Sequence, residues 1–397
     1  MINRFLSHYR SAYTGLPKTA WMLALVVFIN RSGTMVLFFL TLYLTQKLNF
    51  TVTQAGKLFS LYGVGALAGT YLGGWLSDVW SSYKVQVTSL LLSGVAYIAL
   101  GYLRTFYGIA ALLILLAVVS EAFRPANIAA VAQACPPELR PRGFALNRLA
   151  INLGVTIGPA LGGLLAMKNY RLLFWVDGLT CLAAAVLFLY LRSRSFVDLK
   201  PVKKQDDLVP LSPFKDVVYL FVLLLLLITG MMFFQFFNTW PLYLRNFYAL
   251  PENRIGSLLA LNALIIVFVE MPLIHGLERK KPLPIISLGA LFVAAGFFLL
   301  PFGGSYLYAA FTMVLWTTGE MLLFPLIATF TAGRAHESNQ GKYMGLFSFT
   351  FSLAMVFGPG LGAWVYDYFS PVILWYSVGI AGLIVFTGFQ IIHKRST

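Results

Sequence analysis

A handful of residues in this 397-residue chain are at odds with their surroundings: Asn30 and Arg31, Glu121 and Arg124, Glu270, and Glu320 each lie inside a run of apolar side chains. A charge at the centre of a helix in lipid costs about 2.5 to 3.5 kcal/mol even on the lenient insertion scale, so such residues are expected to line a wet cavity. Glu121 and Arg124 are three positions apart on one helical face, which suits both a self-neutralising structural pair and a pair that handles protons. Glu270 lies near the basic cluster Arg279, Lys280, Lys281 and reads either as an interfacial partner of it or as a coupling acid. Glu320, in TTGEMLLFP, has no base within four positions. Its partner must come from another helix, or it must spend part of its time protonated. An acid in an oil-like site is cheaper to keep neutral than charged, so it can bind and release a proton as water reaches it. Glu320 is therefore the expected principal proton-coupling residue, with Arg31 or Arg124 stabilising its charged form; a fixed salt bridge is the competing structural role. Asn30, Tyr43, Gln235, Asn238 and Trp316 are candidate walls of a substrate cavity, and Trp240, like Tyr43, also suits an interfacial aromatic belt.

Other chemistry is poorly supported. Cys135 and Cys181 stand alone, and the four histidines His8, His275, His336 and His393 fall in connectors or at run ends, so no metal-ligand spacing and no nucleophile-base set is formed. The expectation is no enzyme, no metal, no disulfide and no cofactor, with a proton gradient as energy source.

The elements that must position these residues follow from composition. Hydrophobic residues make up 59% of the chain, charged residues only 11%, and the mean hydropathy is +0.79, values that belong to a membrane protein. Twelve apolar runs are expected to form helices, at roughly 20–46, 55–77, 85–103, 106–132, 143–167, 171–191, 216–245, 254–275, 284–302, 305–332, 342–366 and 371–392. They are continuously apolar instead of alternating, which excludes a transmembrane barrel. No cleavable signal precedes them; the first twenty residues read as a basic, aromatic lead-in on the membrane surface. The net charge of +15 does not call for nucleic acid, because the bases sit in short connectors. Of the 29 Lys and Arg, seven fall on one side (Lys47, Lys57, Arg104, Lys168, Arg171, Arg245, Arg254), three lie within spans (Arg31, Arg124, Arg148), and the remaining nineteen lie on the other. The positive-inside rule then places both termini in the cytoplasm of a plasma-membrane protein.

The connector 193–215 is the one stretch with a clear shift toward charge and proline, and it separates a six-span bundle at 1–192 from another at 216–397. Shifting the sequence by 200 positions pairs Tyr43 with Tyr243, Gly56 with Gly256, Pro125 with Pro325, Gly158-Pro159 with Gly358-Pro359, Gly162 with Gly362, and Trp175 with Trp375. Coincidences of Gly, Pro and Trp at one constant shift point to a duplicated unit in parallel orientation. Two such bundles around a central cavity, rocking to expose it alternately to each side, make a carrier that works as a monomer in the lipid bilayer on small molecules and protons.

Three motifs then bring a family into view. GGWLSDVWSSYK resembles the loop signature between spans two and three of the major facilitator superfamily, with Gly74, Asp78 and Lys84 matching; the usual Arg after the acid is Val79, and one residue is inserted before the base. Its counterpart 200 positions on is Glu278, followed by three bases. Asp78 and Glu278 are thus candidate gating latches. ALNRLAINLGVTIGPALGGLL, with Gly154, Gly158, Pro159, Gly162 and Gly163, resembles the span-five motif of that superfamily's antiporters, although Ala145 replaces an earlier Gly. Small residues there permit close helix approach and proline a bendable point. Arg124 resembles the superfamily's span-four arginine, without the glycines around it. The resemblance implies a twelve-helix transporter, most like the drug/proton antiporters that export small amphipathic compounds. INRSGTMVLFFLTLYLTQKL and AINLG also resemble the proton-coupled oligopeptide transporters, which use a span-ten glutamate; their two span-one glutamates are Val27 and Asn30 here, so peptide uptake is the second reading.

Overall fold

A computed structural model of the chain describes residues 15–136, 139–195, 213–277, 280–334 and 340–396. Glu278, His8, His336, Arg4, Arg10, Arg279 and the connector 196–212 lie outside the described residues, as does the side chain of Asp78. Within them the fold is all-α, and eleven helices are long and apolar enough to cross a membrane. The remaining expected span, Val52–Leu76, is a helix of 25 residues whose apolarity is diluted by Gly, Ser and Tyr. The order of elements reproduces the twelve expected spans, with three of them interrupted. Span one is Lys18–Ser32 followed by Val36–Gln46; span seven is Val217–Phe233, a 3₁₀ turn Phe234–Phe236, and Thr239–Asn246; span eight is Glu252–Ile265, a π turn Ile266–Glu270, and Met271–Leu277.

The expected loop between spans two and three is mostly helical. Val52–Leu76 runs into a π turn, Ser77–Ser81, which meets the next helix, Ser82–Leu100. A wider i→i+5 turn absorbs one extra residue without unravelling the helix, which accounts for the insertion in GGWLSDVWSSYK. Ser81 is extended and its hydroxyl accepts from the amide of Lys84, so it caps span three.

Contacts divide the chain into two compact units: Met1–Val36 with Gly65–Val202, and Leu37–Val64 with Lys203–Thr397. In the first, Leu23, Val27, Leu90, Val131 and Phe188 form the core. In the second, Trp240, Trp316, Trp375, Tyr62 and Tyr219 are the largest fully buried side chains among the described residues. Residues 37–64 belong with the second unit through specific bonds. Thr41 donates to Asn238 over 2.7 Å, and the hydroxyl of Ser60 accepts from the amide of Gly360.

The 200-residue shift reappears as geometry. Prolines lie inside spans four and ten at Pro125 and Pro325, and inside spans five and eleven at Pro159 and Pro359. A Cβ on Gly158 would lie 3.4 Å from the carbonyl oxygen of Arg31, and one on Gly358 would lie 3.0 Å from the Cα of Met231, the residue 200 positions after Arg31. Asn49 and Ala249 are the two non-glycine residues with positive φ among those described, at 57° and 51°. Each follows a helix end closed by the same pair of atoms, Phe50 N to Leu44 O and Leu250 N to Leu244 O.

Candidate functional site

In the second unit Glu320 occupies the middle of the helix Tyr306–Arg334. One Asn262 amide hydrogen-bonds its Oε2 at 3.1 Å, and the same nitrogen donates to the hydroxyl of Thr317 at 3.0 Å. Thr317 in turn donates to the carbonyl of Met313. The partner of this acid is therefore a neutral amide from span eight, and within its unit no ion pair holds it among the described residues. Trp316 and Phe324 lie one turn below and one turn above Glu320 on the same helix. Phe233 touches both, with ring centroids 6.1 Å and 5.1 Å away. Phe351 closes the group at 5.5 Å from Phe324. The indole nitrogen of Trp316 is buried without a hydrogen-bond partner, while its ring packs on Phe236 and Phe297. An acid with one neutral donor, set among aromatic faces, can hold a proton or face an organic cation.

Arg31 belongs to the first unit, in the last turn of the first half of span one. Its Nε is buried with no hydrogen-bond partner. Its Cβ meets Gly154 so closely that a side chain there would stand 2.6 Å away. This is what the span-five glycines do: they let span five lie against span one at Arg31 and at the break that follows. Gly162 and Gly163, further along the same helix, are buried. Asn30 donates to the thiol of Cys181 at 3.3 Å.

Glu121 is half-buried and Arg124 exposed on span four. Glu270 is buried at the end of the π turn in span eight, where the ladder is interrupted. Gln235 and Asn238 are buried and engaged in packing. Gln235 donates to the carbonyls of Met231 and Gly358, and Asn238 to that of Pro359. They fasten the break in span seven to the bend in span eleven, and Thr41 and Thr239 take up their remaining oxygens. Tyr43 and Trp240 are buried too, at 5% and 1% exposure. In the loop motif, Gly74 has open space around it, whereas its neighbour Gly73 faces the backbone of Ala122; Lys84 is exposed. Among the described residues no three His, Cys, Asp or Glu side chains converge as a metal site would require.

Two residues escape the sequence reading. Asn262 is a single amide in LLALNALI, and nothing in its spacing ties it to a residue two spans later. Asp177, in FWVDGLT of span six, is 1% exposed and accepts hydrogen bonds from the amides of Met35 and Val36. Its signal is the one that exposes Glu320, an acid inside an apolar run, but six residues from Arg171 it reads as interfacial.

Comparison with known proteins agrees with this architecture. The chain is similar to the Na(+), Li(+), K(+)/H(+) antiporter of Planococcus maritimus, 22% identical over 404 residues that cover 93% of this chain and 95% of that protein. It is similar to Multidrug resistance protein 1 of Bacillus subtilis (strain 168), 24% identical over 351 residues, covering 85% and 88%. Its fold matches the crystal structure of the peptide transporter POT in complex with sulfate, with a TM-score of 0.81 at 17% identity over 97% of this chain and 95% of that one. The family model described as Major Facilitator Superfamily matches residues 21–359. A duplicated bundle of apolar helices with buried charges, matched along most of its length by that model, is a multi-pass membrane transporter and not an enzyme: the chain belongs to the Major Facilitator Superfamily.

Proposed function

We propose that this transporter works by alternating access as a proton-coupled exporter of small amphipathic or drug-like compounds, with a proton gradient as its energy source, Glu320 as its principal proton-coupling residue, and both termini in the cytoplasm. The observation that carries the reading is the state of Glu320: its one hydrogen-bond partner among the described residues of its unit is the neutral Asn262. An acid locked in a salt bridge is already paid for by its partner and resists protonation, whereas one held by an amide is free to exchange a proton for another charge. The half-buried rings of Phe233 and Phe324, packed on one another near it, suit a planar, lipophilic cation. The antiport and multidrug relatives support export. The likeness to a peptide transporter is one of fold and does not by itself favour uptake.

The test is transport by the full-length protein in proteoliposomes with an imposed pH gradient, with ethidium, a set of dipeptides, and Na⁺ or K⁺ as separate probes. Uphill ethidium movement against a proton gradient is expected. Glu320→Gln should abolish pH-driven accumulation while leaving exchange of probe across the membrane at equal pH. Unchanged pH-driven transport in that variant would refute the assignment of Glu320. Inward proton flow driven by dipeptides would replace export with peptide uptake, and proton flow driven only by Na⁺ or K⁺ would make the chain an alkali-cation antiporter.

A further inference from the structure

A span that stops and restarts inside lipid leaves backbone groups without partners, and lipid supplies none. In span one the first half ends at Ser32 and the second begins at Val36. Thr34 N bonds to Arg31 O and Met35 N to Gly33 O, a tightened turn that leads into the amides at the start of the second half. Asp177 of span six meets them. Its Oδ1 accepts from Met35 N at 3.1 Å, and its Oδ2 accepts from the same amide at 3.2 Å and from Val36 N at 2.9 Å. No basic side chain pairs with this buried carboxylate among the described residues. Its compensation is the pair of amides and the positive end of the helix they begin.

The break is also seated sterically from both sides. A Cβ on Gly33 would lie 1.8 Å from the hydroxyl of Thr180, one helical turn beyond Asp177, and a Cβ on Gly158 would lie 2.9 Å from the carbonyl oxygen of Thr34. The counterpart break in span seven is held differently, by the neutral amides of Gln235 and Asn238. The position matching Asp177 there is Ser377, which is exposed and bonds to the carbonyl of Ile373 on its own helix.

A carboxylate buried away from any base carries a desolvation cost that its hydrogen bonds must offset. The oxygens of Asp177 are spent on amides that are available only while span one is broken. We propose that Asp177 is a positioning residue of the transport cycle, an anionic clamp that keeps span one broken between Ser32 and Val36 and so fixes where Arg31, at the end of the first half, is held. The clamp itself does not depend on what is transported; its bearing on turnover rests on the exporter reading.

Hydrogen exchange of the full-length protein in lipid nanodiscs tests the clamp with no substrate present. In Asp177→Leu the segment 34–38 should exchange about tenfold faster or more, the loss expected for charge-assisted bonds, with Asp177→Asn, which keeps one acceptor oxygen, in between. The thermal midpoint of Asp177→Leu should fall, because the buried amides of Met35 and Val36 lose their acceptor. In proteoliposomes the maximal rate of ethidium transport should fall about tenfold in Asp177→Leu while the half-saturating concentration stays at the wild-type value. Unaltered exchange at 34–38, or an unaltered maximal rate, would overturn the proposal. A raised half-saturating concentration with the maximal rate preserved would overturn it too, since that is the signature of direct substrate contact. Should the wild-type protein move no ethidium, the exporter reading fails, and the exchange measurement alone decides the clamp.

Discussion

Asp216, at the start of span seven, is placed so that its two roles can be separated by mutation. Its side chain caps the helix Val217–Phe233 by accepting from the amide of Tyr219 at 3.0 Å. It also receives Nε and Nη2 of Arg334, at the end of span ten, at 2.9 and 2.8 Å, and the hydroxyl of Tyr343 of span eleven at 3.3 Å. Three spans of the second unit are thus joined at one carboxylate. Partial burial pushes its pKa up, but the Arg334 guanidinium and the Tyr219 amide outweigh this and hold it below the usual carboxylate range. A lost cap costs about 0.5–2 kcal/mol. The ion pair is partly exposed, at 30% and 15% for the two side chains, so despite its two-pronged geometry it contributes no more than about 1 kcal/mol. Asp216→Asn keeps the cap, because Asn is as good an N-cap as Asp, and should cost about 1 kcal/mol; Asp216→Ala should cost about 2. A cycle with Arg334→Gln should recover a coupling of about 1 kcal/mol, measured by unfolding in mixed micelles with increasing SDS. A carboxyl held low in the folded state stabilises the protein above its unfolded pKa, about 3.9. That contribution disappears as pH falls through the folded value. The gap between wild type and Asp216→Asn should therefore be constant from about pH 7 to 5 and close below about pH 4. Equal losses for Asn and Ala, or a gap that persists in acid, would refute the division into cap and ion pair.

The same unfolding measurement checks two further outcomes. Gly73→Ala would bring a Cβ within 2.4 Å of the carbonyl oxygen of Ala122, an atom of the backbone that cannot rotate aside, and should cost about 1–3 kcal/mol or suppress folded yield. Gly74→Ala, with open space around it, should change stability by no more than about 0.5 kcal/mol. Ala249 sits at φ 51°, a left-handed conformation that costs an L-residue roughly 1–2 kcal/mol, so Ala249→Gly should stabilise by about 1 kcal/mol; Asn49→Gly, starting from a residue that tolerates this region, should give clearly less.

The number, length and helical character of the spans are legible in the sequence because hydropathy and segment length are local properties that lipid enforces. Helix interruptions are less so. Span one reads as one run from 20 to 46, and nothing between Arg31 and Val36 except Gly33 announces a break. What opens it comes from 140 residues later, in Asp177 and Thr180. Span seven is similar: Gln235 and Asn238 look like cavity walls in a list of polar residues, yet both are bonded to carbonyls that the Gly358-Pro359 bend presents. Glu320 could be singled out because nothing near it in sequence could neutralise it. Its partner Asn262 could not, since an amide carries no charge signature and the contact is 58 residues long in sequence. The inserted residue of the loop motif is legible in the sequence and falls in the π turn Ser77–Ser81, but the glycine that packs is Gly73, which only the approach of span four reveals.

The duplication separates scaffold from chemistry. Glycines, prolines and helix-end turns recur at the 200-residue shift, and the structure shows matched positions making matched contacts: Gly158 against Arg31 in the first unit and Gly358 against Met231 in the second, and Phe50 bonded to Leu44 as Leu250 is to Leu244. The intramembrane charges do not recur. Arg31 is matched by Met231, Arg124 by Phe324, Asp177 by Ser377, while Glu320 is matched by Ser120 and Glu270 by Thr70. In the proposed alternating-access cycle a shared bending device suits symmetry, because both bundles would flex alike. A coupling device needs the opposite, since an acid and a base repeated in each half would neutralise each other at home and leave nothing to exchange. Glu320 of the second unit, held by a neutral amide, and Arg31 of the first, whose buried Nε takes no hydrogen bond, are among the charges that remain when the repeat is subtracted. Substitutions at matched positions should therefore disturb folding and bending in either half, whereas those at unmatched positions should disturb what is moved and what drives it.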